Sequence, residues 1–259
     1  MKTSSKKSGF ILSATLALAL LASGPLAADP PTTTFYLTGV GAGNVLAGVY
    51  TSPYSGSLTS PSPGTSIPVI CDDFTDDSYV PEQWTAYITP VSSLGSGTDP
   101  FLRWSGSVTT GLNQTQAYTV AAVLAVDIMQ SSGEAQEDYS YALWELFDSN
   151  AFTQLTNSGD GTDESNALTY LNNAVTYVTS GNNAAQVQAD VQATTIYSYD
   201  SAAGPPSCNG GTCPHAPPQE FLIVNMAEPP SLAVFALYFL LGGCVLLFWG
   251  RHRNPRSDS

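Results

Sequence analysis

The chain has 259 residues, of which 43% are hydrophobic and only 11% are charged. It can therefore build a sizeable core and is not disordered throughout. Lys and Arg number 7 against 21 Asp and Glu, a formal net charge of −14, and this acidic balance argues against a nucleic-acid binder, which needs a basic face for phosphates.

The basic residues lie almost entirely at the two ends of the chain. From Asp29 to Ala227 there are 19 acidic residues and a single Lys or Arg, Arg103. A segment so poor in cations forms very few internal ion pairs. Burial and hydrogen bonds must therefore stabilise it.

The first residues have the pattern of a secretory signal peptide. Three lysines precede an uncharged, mostly apolar run of 13 residues, 10–22, and the small residues Ala27 and Ala28 follow. We expect residues 1–28 to be a signal peptide that is removed after Ala27 or Ala28. An uncleaved anchor is the alternative, although 13 apolar residues are few for a membrane span.

The next part of the chain has the β-branched and aromatic composition of short strands. Residues 33–40 and 45–50 flank a Gly-rich turn and predict a hairpin. Residues 52–66 are rich in Ser, Pro, Thr and Gly, which predicts a loop. Two more strands are predicted at 67–74 and 84–91, joined by an acidic turn.

The middle of the chain changes to helical periodicity. Apolar residues spaced three and four apart predict helices at 114–130, 134–148 and 163–179, the first of them largely buried. Asp160 or Thr162 is expected to cap the last of these helices, and Gly181 to end it.

Strand patterns return at 194–199 and 220–225, on either side of a Gly/Pro/Cys loop at 202–218. The order of strands, three helices and strands predicts an α+β fold for one extracytoplasmic domain, residues 29–227. We expect the final strands to pair with the first ones. They would then close an antiparallel sheet or barrel around Trp84 and the helices.

The C-terminal end predicts a transmembrane helix. No residue from 229 to 250 is charged, and 232–249 is a run of 18 apolar or small residues, about 27 Å long as a helix. Arg251, His252 and Arg253 follow, so the tail 251–259 is expected in the cytoplasm by the positive-inside rule. The domain between the two ends would then lie outside.

This end resembles the PEP-CTERM sorting signal. Glu228, Pro229, Pro230 and Ser231 precede the apolar helix and the Arg-rich end, and Ala227 stands where the signal has its first proline. The resemblance implies that 228–259 are recognised by an exosortase, a membrane transpeptidase-like enzyme with a catalytic cysteine. That enzyme would cut near the motif and release or transfer the protein. A plain C-terminal anchor is the alternative.

Three short motifs are ICDDF at 70–74, WTAY at 84–87 and YALWELF at 141–147. They resemble many PEP-CTERM ectodomains and, more distantly, the thioester domains of bacterial surface adhesins. In those thioester domains a Cys of the strand motif bonds to a Gln four residues before the helix Trp. Ser140 holds that position here, so we expect the fold to carry over and Cys71 to form no thioester. Gln136, one helical turn earlier, is the alternative partner.

The other cysteine patterns have simple interpretations. Cys71 is expected to be a small buried strand residue, because no histidine lies in the folded middle to activate it. Cys208 and Cys213 can close a small ring, and a disulfide is the usual state outside the cytoplasm. Metal binding by these two cysteines with His215 is the alternative, but it lacks a fourth ligand.

Acidic clusters offer weak calcium candidates. Asp72, Asp73, Asp76 and Asp77 flank a turn, and oxygen ligands of this kind can hold Ca²⁺. The cluster lacks the Asp-x-Asp-x-Asp-Gly order of a calcium loop, as does a second one at 160–164. We therefore predict no metal and no cofactor, and interpret the clusters as a solvated turn and a capped helix start.

Paired carboxylates could also serve a glycosidase, and Asp72, Asp73, Glu82 and Glu145 are the acids near aromatic residues. Their spacing gives no support for catalysis, so we predict no catalytic residues. A pocket joining two carboxylates about 5–10 Å apart would favour an enzyme.

The sequence as a whole predicts an exported, non-enzymatic protein of the cell surface or of an exopolysaccharide matrix. By resemblance its partners are an exosortase, the membrane through the helix 232–249 and, as a candidate, extracellular polysaccharide. An extracellular carbohydrate-active enzyme and a simple membrane-anchored binding module are the alternatives.

Overall fold

The computed structural model describes most of the predicted domain. The described residues are 29–41, 44–59, 64–208, 211–214 and 217–226. Of these, the residues from Thr32 to Met226 form one compact unit, and 29–31 belong to another. The predicted signal peptide, sorting motif, apolar span and basic tail lie outside the described residues. Within these ranges, no helix combines the length and hydropathy needed to cross a bilayer.

The described fold contains ten strands and five α-helices, so the predicted α+β class is confirmed. The strands are β1 (Thr32–Gly39), β2 (Val45–Leu46), β3 (Val49–Tyr50), β4 (Tyr54–Leu58), β5 (Ile67–Cys71), β6 (Glu82–Pro90), β7 (Thr194–Tyr199), β8 (Ser207–Cys208), β9 (Gly211–Thr212) and β10 (Phe221–Val224). The helices are α1 (Gln114–Gln130), α2 (Glu134–Phe147), α3 (Asn150–Ser158), α4 (Gly161–Thr179) and α5 (Ala184–Ala193).

Six antiparallel strands close into a barrel in the order β1, β4, β5, β10, β7 and β6, and β6 pairs again with β1. Phe35 of β1 illustrates the closure, because it lies opposite Leu58 of β4 and opposite Trp84 of β6. A closed barrel leaves no unpaired strand edge along its circumference. The short hairpin of β8 and β9 extends the sheet from β6.

Aromatic side chains fill the barrel interior. Along β1, buried and more exposed residues alternate with the period of two that a strand imposes, and Phe35 and Leu37 point inward. The ring of Phe35 stacks on Trp84 at 4.7 Å and on Phe221 at 5.3 Å between centroids. The predicted position of Trp84 inside a barrel is therefore confirmed.

The helices pack on the outside of the barrel, so the expectation that the strands enclose them was wrong. Ile70 of β5, Ile196 of β7 and Leu222 of β10 face outward and join the helices in a second apolar core. The physical reason is volume: the side chains of the six strands already fill a barrel of this size. Helix α1 lies in the middle of the second core and is largely buried, as predicted.

The predicted hairpin between residues 33–40 and 45–50 does not form. Strand β1 pairs with β4 and β6, whereas 45–50 folds on itself as the small β2–β3 ladder, with Val45 opposite Tyr50. Strand β4 lies inside the predicted loop 52–66. Its Gly56 comes so close to Val69 that an added Cβ would lie 2.8 Å from Val69 Cγ1, which explains why a glycine stands inside this strand.

Helices α3 and α5 were not predicted. Helix α3 buries only Ala151 and Leu155, and α5 buries only Asp190 and Val191, so the apolar pattern of each helix is very short. Helix α4 was predicted, and Asp160 holds its N-cap position without a side-chain capping bond. Gly181 follows the helix with a φ of 73°, as its predicted role requires.

Candidate functional site

The acidic motif at the end of β5 lies in a sealed centre between the barrel and the helices. Cys71, Asp72 and Asp73 have no exposed surface, and Glu220 is 1% exposed. The pairing of β5 with β10 brings these residues together, because Cys71 lies opposite Phe221. The Asp72 N–H donates to the Glu220 carbonyl at 3.4 Å.

Asp72 and Glu220 form what we call the acidic pair. Glu220 Oε2 accepts the Arg103 backbone N–H at 3.0 Å, and Oε1 accepts the Tyr118 hydroxyl. No N–H or O–H of another described residue donates to the Asp72 carboxyl oxygens. Burial and the neighbouring Glu220 charge raise the pKa of Asp72 well above its ordinary value, whereas burial raises the pKa of Glu220 only to about 6, since Tyr118 and Arg103 donate to it. Asp72 is therefore the protonated member at neutral pH.

The Arg103 guanidinium neutralises the carboxylates of Asp73 and Asp76, which follow Asp72 in the chain. Its Nε lies 2.7 Å from Asp73 Oδ2, and its Nη2 lies 2.7 Å from Asp76 Oδ2. The backbone N–H groups of Thr75 and Asp76 donate to Asp73 Oδ1 at 3.0 and 3.2 Å. Burial raises the pKa of Asp73 to about 6 against the opposing pull of the guanidinium. The arrangement is an ion-paired turn.

The four calcium candidates do not converge as a ligand set. Asp73 and Asp76 point to Arg103, and Asp72 belongs to the acidic pair. Among the described residues, only Glu82, Cys208 and Cys213 form a group of three metal-ligand side chains whose donor atoms lie within 4.8 Å of one another.

That group is not a free thiolate site, because Cys208 and Cys213 form the predicted disulfide, with a Cα–Cα distance of 5.0 Å. The bond joins the last residue of β8 to the residue that follows β9, and β8 pairs with β6 at Glu82. The alternative of metal binding at these cysteines therefore loses its two sulfur ligands. His215 lies outside the described residues.

The thiol of Cys71 lies among the side chains of the barrel interior, and burial raises its pKa well above its ordinary value. Cys71 Sγ contacts the Asp73 carbonyl at 3.1 Å, and the Trp144 indole N–H donates to the Cys71 carbonyl at 2.9 Å. The structure thus brings the ICDDF and YALWELF motifs into direct contact. The thiol itself is neutral and inaccessible.

The two side chains considered for a thioester have other contacts. Ser140 Oγ donates to the Gln136 carbonyl one turn back in α2, at 3.0 Å. The Gln136 amide nitrogen donates to the carbonyls of Ile128 and Ser131 at 2.8 and 3.0 Å, so this side chain holds the turn between α1 and α2. That Cys71 forms no thioester stays a prediction.

The four acids considered for a glycosidase lie in three different surroundings. Asp72 and Asp73 are sealed in the centre described above. Glu82 accepts the Tyr79 N–H at 2.8 Å beside the β8–β9 hairpin, whereas Glu145 accepts the Phe152 N–H at 3.1 Å in the helix layer.

A groove in the helix layer, which sequence reasoning missed, is a candidate binding site that is open to solvent. It has a volume of about 440 Å³ and lies among α1, α2, α4 and α5. Its chemistry comes from Asp127, Asp190 and three tyrosines, Tyr139, Tyr170 and Tyr177. One feature of the sequence could have indicated this groove. Asp127 is the only charged residue in helix α1, which is otherwise uncharged and largely buried.

The groups of this tyrosine groove are electrostatically coupled. Burial, together with the Asp190 charge, raises the pKa of Asp127 to about 6. Burial and the Asp127 charge in turn raise the pKa of Tyr139. Asp190 is 6% exposed, and its Oδ1 accepts the Gln186 amide at 2.9 Å. The rings of Tyr139 and Tyr170 stack with centroids 4.0 Å apart.

The comparisons with known proteins add no relative to this picture. No protein-family model, no curated protein and no solved structure matches the chain.

Proposed function

We propose that the chain is an exported protein of the cell surface or of an exopolysaccharide matrix, with a binding or structural role, and that an exosortase sorts it. The observation that carries this proposal is the three-part order of residues 228–259: a Glu-Pro motif, an uncharged run of 18 residues and an Arg-rich end. The disulfide of Cys208 and Cys213 supports export, because disulfides persist in oxidising compartments.

The sealed centre supports a non-enzymatic role. Asp72 and Glu220 would be the natural acid and base of a catalytic pair, yet they are 0% and 1% exposed. A substrate needs contact with its catalytic groups, whereas Glu220 accepts from the Tyr118 hydroxyl and the Arg103 backbone N–H instead. We therefore assign the centre to stability, and binding to the open groove.

The proposed route has two stages. The helix 232–249 first anchors a precursor in the inner membrane with 251–259 in the cytoplasm. The exosortase then cuts near Glu228 and Pro229, and the mature domain reaches the cell surface or the medium. Extracellular polysaccharide is the proposed matrix partner.

Mass spectrometry of the mature termini from the native host tests this route. We expect an N-terminus after Ala27 or Ala28 and a C-terminus that lacks the apolar helix. Replacing Glu228 and Pro229 with Ala should leave the protein anchored, whereas Pro217→Ala, an exposed proline outside the motif, should not change processing. Recovery of only full-length protein that retains Arg253 would contradict sorting and favour a simple anchored binding module.

A carbohydrate-active enzyme is the second candidate, and one observation favours it. The tyrosine groove holds two carboxylates, Asp127 and Asp190, and the pKa of Asp127 is raised by burial to about 6, as a general acid requires. Hydrolysis of a polysaccharide by the wild-type chain, lost in Asp127→Asn, would support this candidate. Absence of hydrolysis across neutral and acidic glycans would leave the binding role.

A further inference from the structure

The tyrosine groove carries two carboxylates that no Lys or Arg of the described residues neutralises. Asp127 comes from α1 and Asp190 from α5. Between residues 29 and 227 the only Lys or Arg is Arg103, and this side chain pairs with Asp73 and Asp76 in the sealed centre. The groove is therefore left with uncompensated negative charge.

The burial of Asp190 makes this imbalance costly. It is 94% buried, so it is largely removed from water, and a neutral amide from Gln186 is the only donor to its Oδ1 among the described residues. Buried charges are ordinarily paired with an opposite charge. A cation that entered the groove would supply this missing partner to both aspartates.

The remaining walls suit an organic cation. The faces of aromatic rings carry partial negative charge and attract cations, and Tyr139, Tyr170 and Tyr177 all line the groove. Val123 and Val126 add apolar surface for a hydrocarbon chain. The volume of about 440 Å³ lies within the range of small-molecule sites.

Other ligands fit these walls less well. Ca²⁺ takes six to eight oxygen ligands, and the described residues bring no three acidic side chains together in the groove. A neutral sugar could use the side-chain amides of Gln130 and Asn173, but it would leave both carboxylates without a counter-charge.

We propose that the tyrosine groove binds a protonated alkylamine, with its ammonium group between Asp127 and Asp190 and its alkyl chain along the tyrosines. This ligand assignment specifies the binding role proposed above. It does not depend on export or sorting, which the mature termini test separately.

Calorimetric titration of the purified full-length chain tests the assignment. Pentylamine should bind at about pH 8, whereas 1-pentanol, which has the same hydrocarbon chain without the charge, should not. Asp127→Asn and Asp190→Asn should each weaken pentylamine binding by about tenfold or more, because a charge-assisted hydrogen bond is lost. Glu134→Gln removes one exposed negative charge outside the groove and should leave binding unchanged.

The pH dependence provides a test on the unaltered chain. The titratable groups of the groove are Asp127, Asp190 and the tyrosines Tyr139, Tyr170 and Tyr177. An alkylamine stays protonated across this range, so protonation of Asp127 should weaken binding several-fold between about pH 8 and pH 5. This dependence should shrink in Asp127→Asn.

Several results would overturn the assignment. Equal binding of pentanol and pentylamine would show that charge plays no part, and pH-independent binding would do the same. Calcium or a neutral oligosaccharide that binds in the groove, with no binding of pentylamine, would assign it to another ligand class. Unchanged pentylamine affinity in both aspartate variants would place the amine elsewhere.

Discussion

The acidic side chains of this protein are held mainly by neutral donors. Glu220 accepts from Tyr118 and from a backbone N–H, and Asp148 accepts from the Thr75 hydroxyl at 2.5 Å and from the Asn150 side chain at 2.8 Å. A buried carboxyl group is tolerated where such donors surround it, where a cation pairs with it, as Arg103 does with Asp73, or where it keeps its proton. Asp72 is the residue that keeps its proton.

Substitutions in the acidic pair should distinguish the ionised carboxylate, Glu220, from the protonated carboxyl group, Asp72. Asp72→Asn replaces a neutral, protonated carboxyl group with a neutral amide of nearly the same size. It should change the free energy of unfolding by less than about 1 kcal/mol. Glu220→Ala leaves the Tyr118 hydroxyl and the Arg103 N–H without their acceptor and should cost about 3 kcal/mol or more. Urea unfolding at neutral pH measures both. Strong destabilisation by Asp72→Asn would mean that Asp72 is the ionised member.

The second residue prediction concerns Cys71. The expected partner position of a thioester holds Ser140, and the Gln136 amide donates to backbone carbonyls. Intact mass should therefore show no loss of about 17 Da, the ammonia released when a Gln amide condenses with a thiol. A mass deficit of that size, together with Cys71 protected from alkylation after unfolding, would disprove this prediction.

Helix α2 connects the helix layer to the barrel. The Trp144 indole N–H donates to the Cys71 carbonyl at the end of β5, and the Tyr141 hydroxyl donates to the Leu46 carbonyl at 2.9 Å. Both side chains are essentially fully buried, so each contact adds packing to a hydrogen bond. The YALWELF motif is therefore explained as a structural connection.

Replacing Trp144 with Phe should test that connection. The change removes the hydrogen bond and part of a fully buried ring, and should lower the free energy of unfolding by about 2–4 kcal/mol. Trp104→Phe is the matched control, because the Trp104 indole N–H has no hydrogen-bond partner among the described residues. Equal losses in the two variants would show that the Cys71 contact contributes nothing specific.

The β8–β9 hairpin is a peripheral element closed by the disulfide. The cysteines are separated by five positions, so the bond restricts a short loop and should contribute only about 2 kcal/mol in the chain-entropy model. The domain should stay folded in reductant, as judged by near-ultraviolet circular dichroism. Cys208→Ser with Cys213→Ser should behave like the reduced protein. Global unfolding on reduction would assign the hairpin a larger role.

For the whole molecule, the dominant electrostatic feature is the set of carboxyl groups whose pKa is raised. Burial raises the pKa of Asp73, Asp127, Asp138 and Glu220 to about 6. In the unfolded chain these groups titrate near 4. Between about pH 4 and pH 6 the folded state therefore binds more protons than the unfolded state, and stability falls as the pH rises.

Thermal unfolding should consequently occur at a higher temperature near pH 5 than near pH 8. The difference in free energy should be on the order of 3 kcal/mol, since several of these groups are partly screened by solvent. Asp127→Asn should raise the melting temperature near pH 8, because it relieves repulsion with Asp190. Stability that increases from pH 5 to pH 8 would contradict the raised pKa of these carboxyl groups.

The sequence predicted the elements whose signals are local. Helices α1, α2 and α4 follow from regular apolar spacing, and the disulfide follows from the close spacing of Cys208 and Cys213. Helices α3 and α5 bury only two and one apolar residues, which is too short a pattern to predict a helix. The composition of β4 resembles a loop in part because Gly56 meets Val69 of the neighbouring strand β5. Helices α3 and α5 and strand β4 were not predicted for one reason: the contacts that stabilise them are made with residues distant in the sequence.

By itself the sequence determined the α+β class, the acidic character of the domain and the isolation of Arg103 as its single Lys or Arg. Only the tertiary structure decided that the strands close into a barrel with the helices outside, that Asp72 meets Glu220, and that Asp127 and Asp190 share a groove. The physical reason is that periodicity records which face of an element is buried. Which elements meet depends on strand pairing and on the volume available inside the barrel.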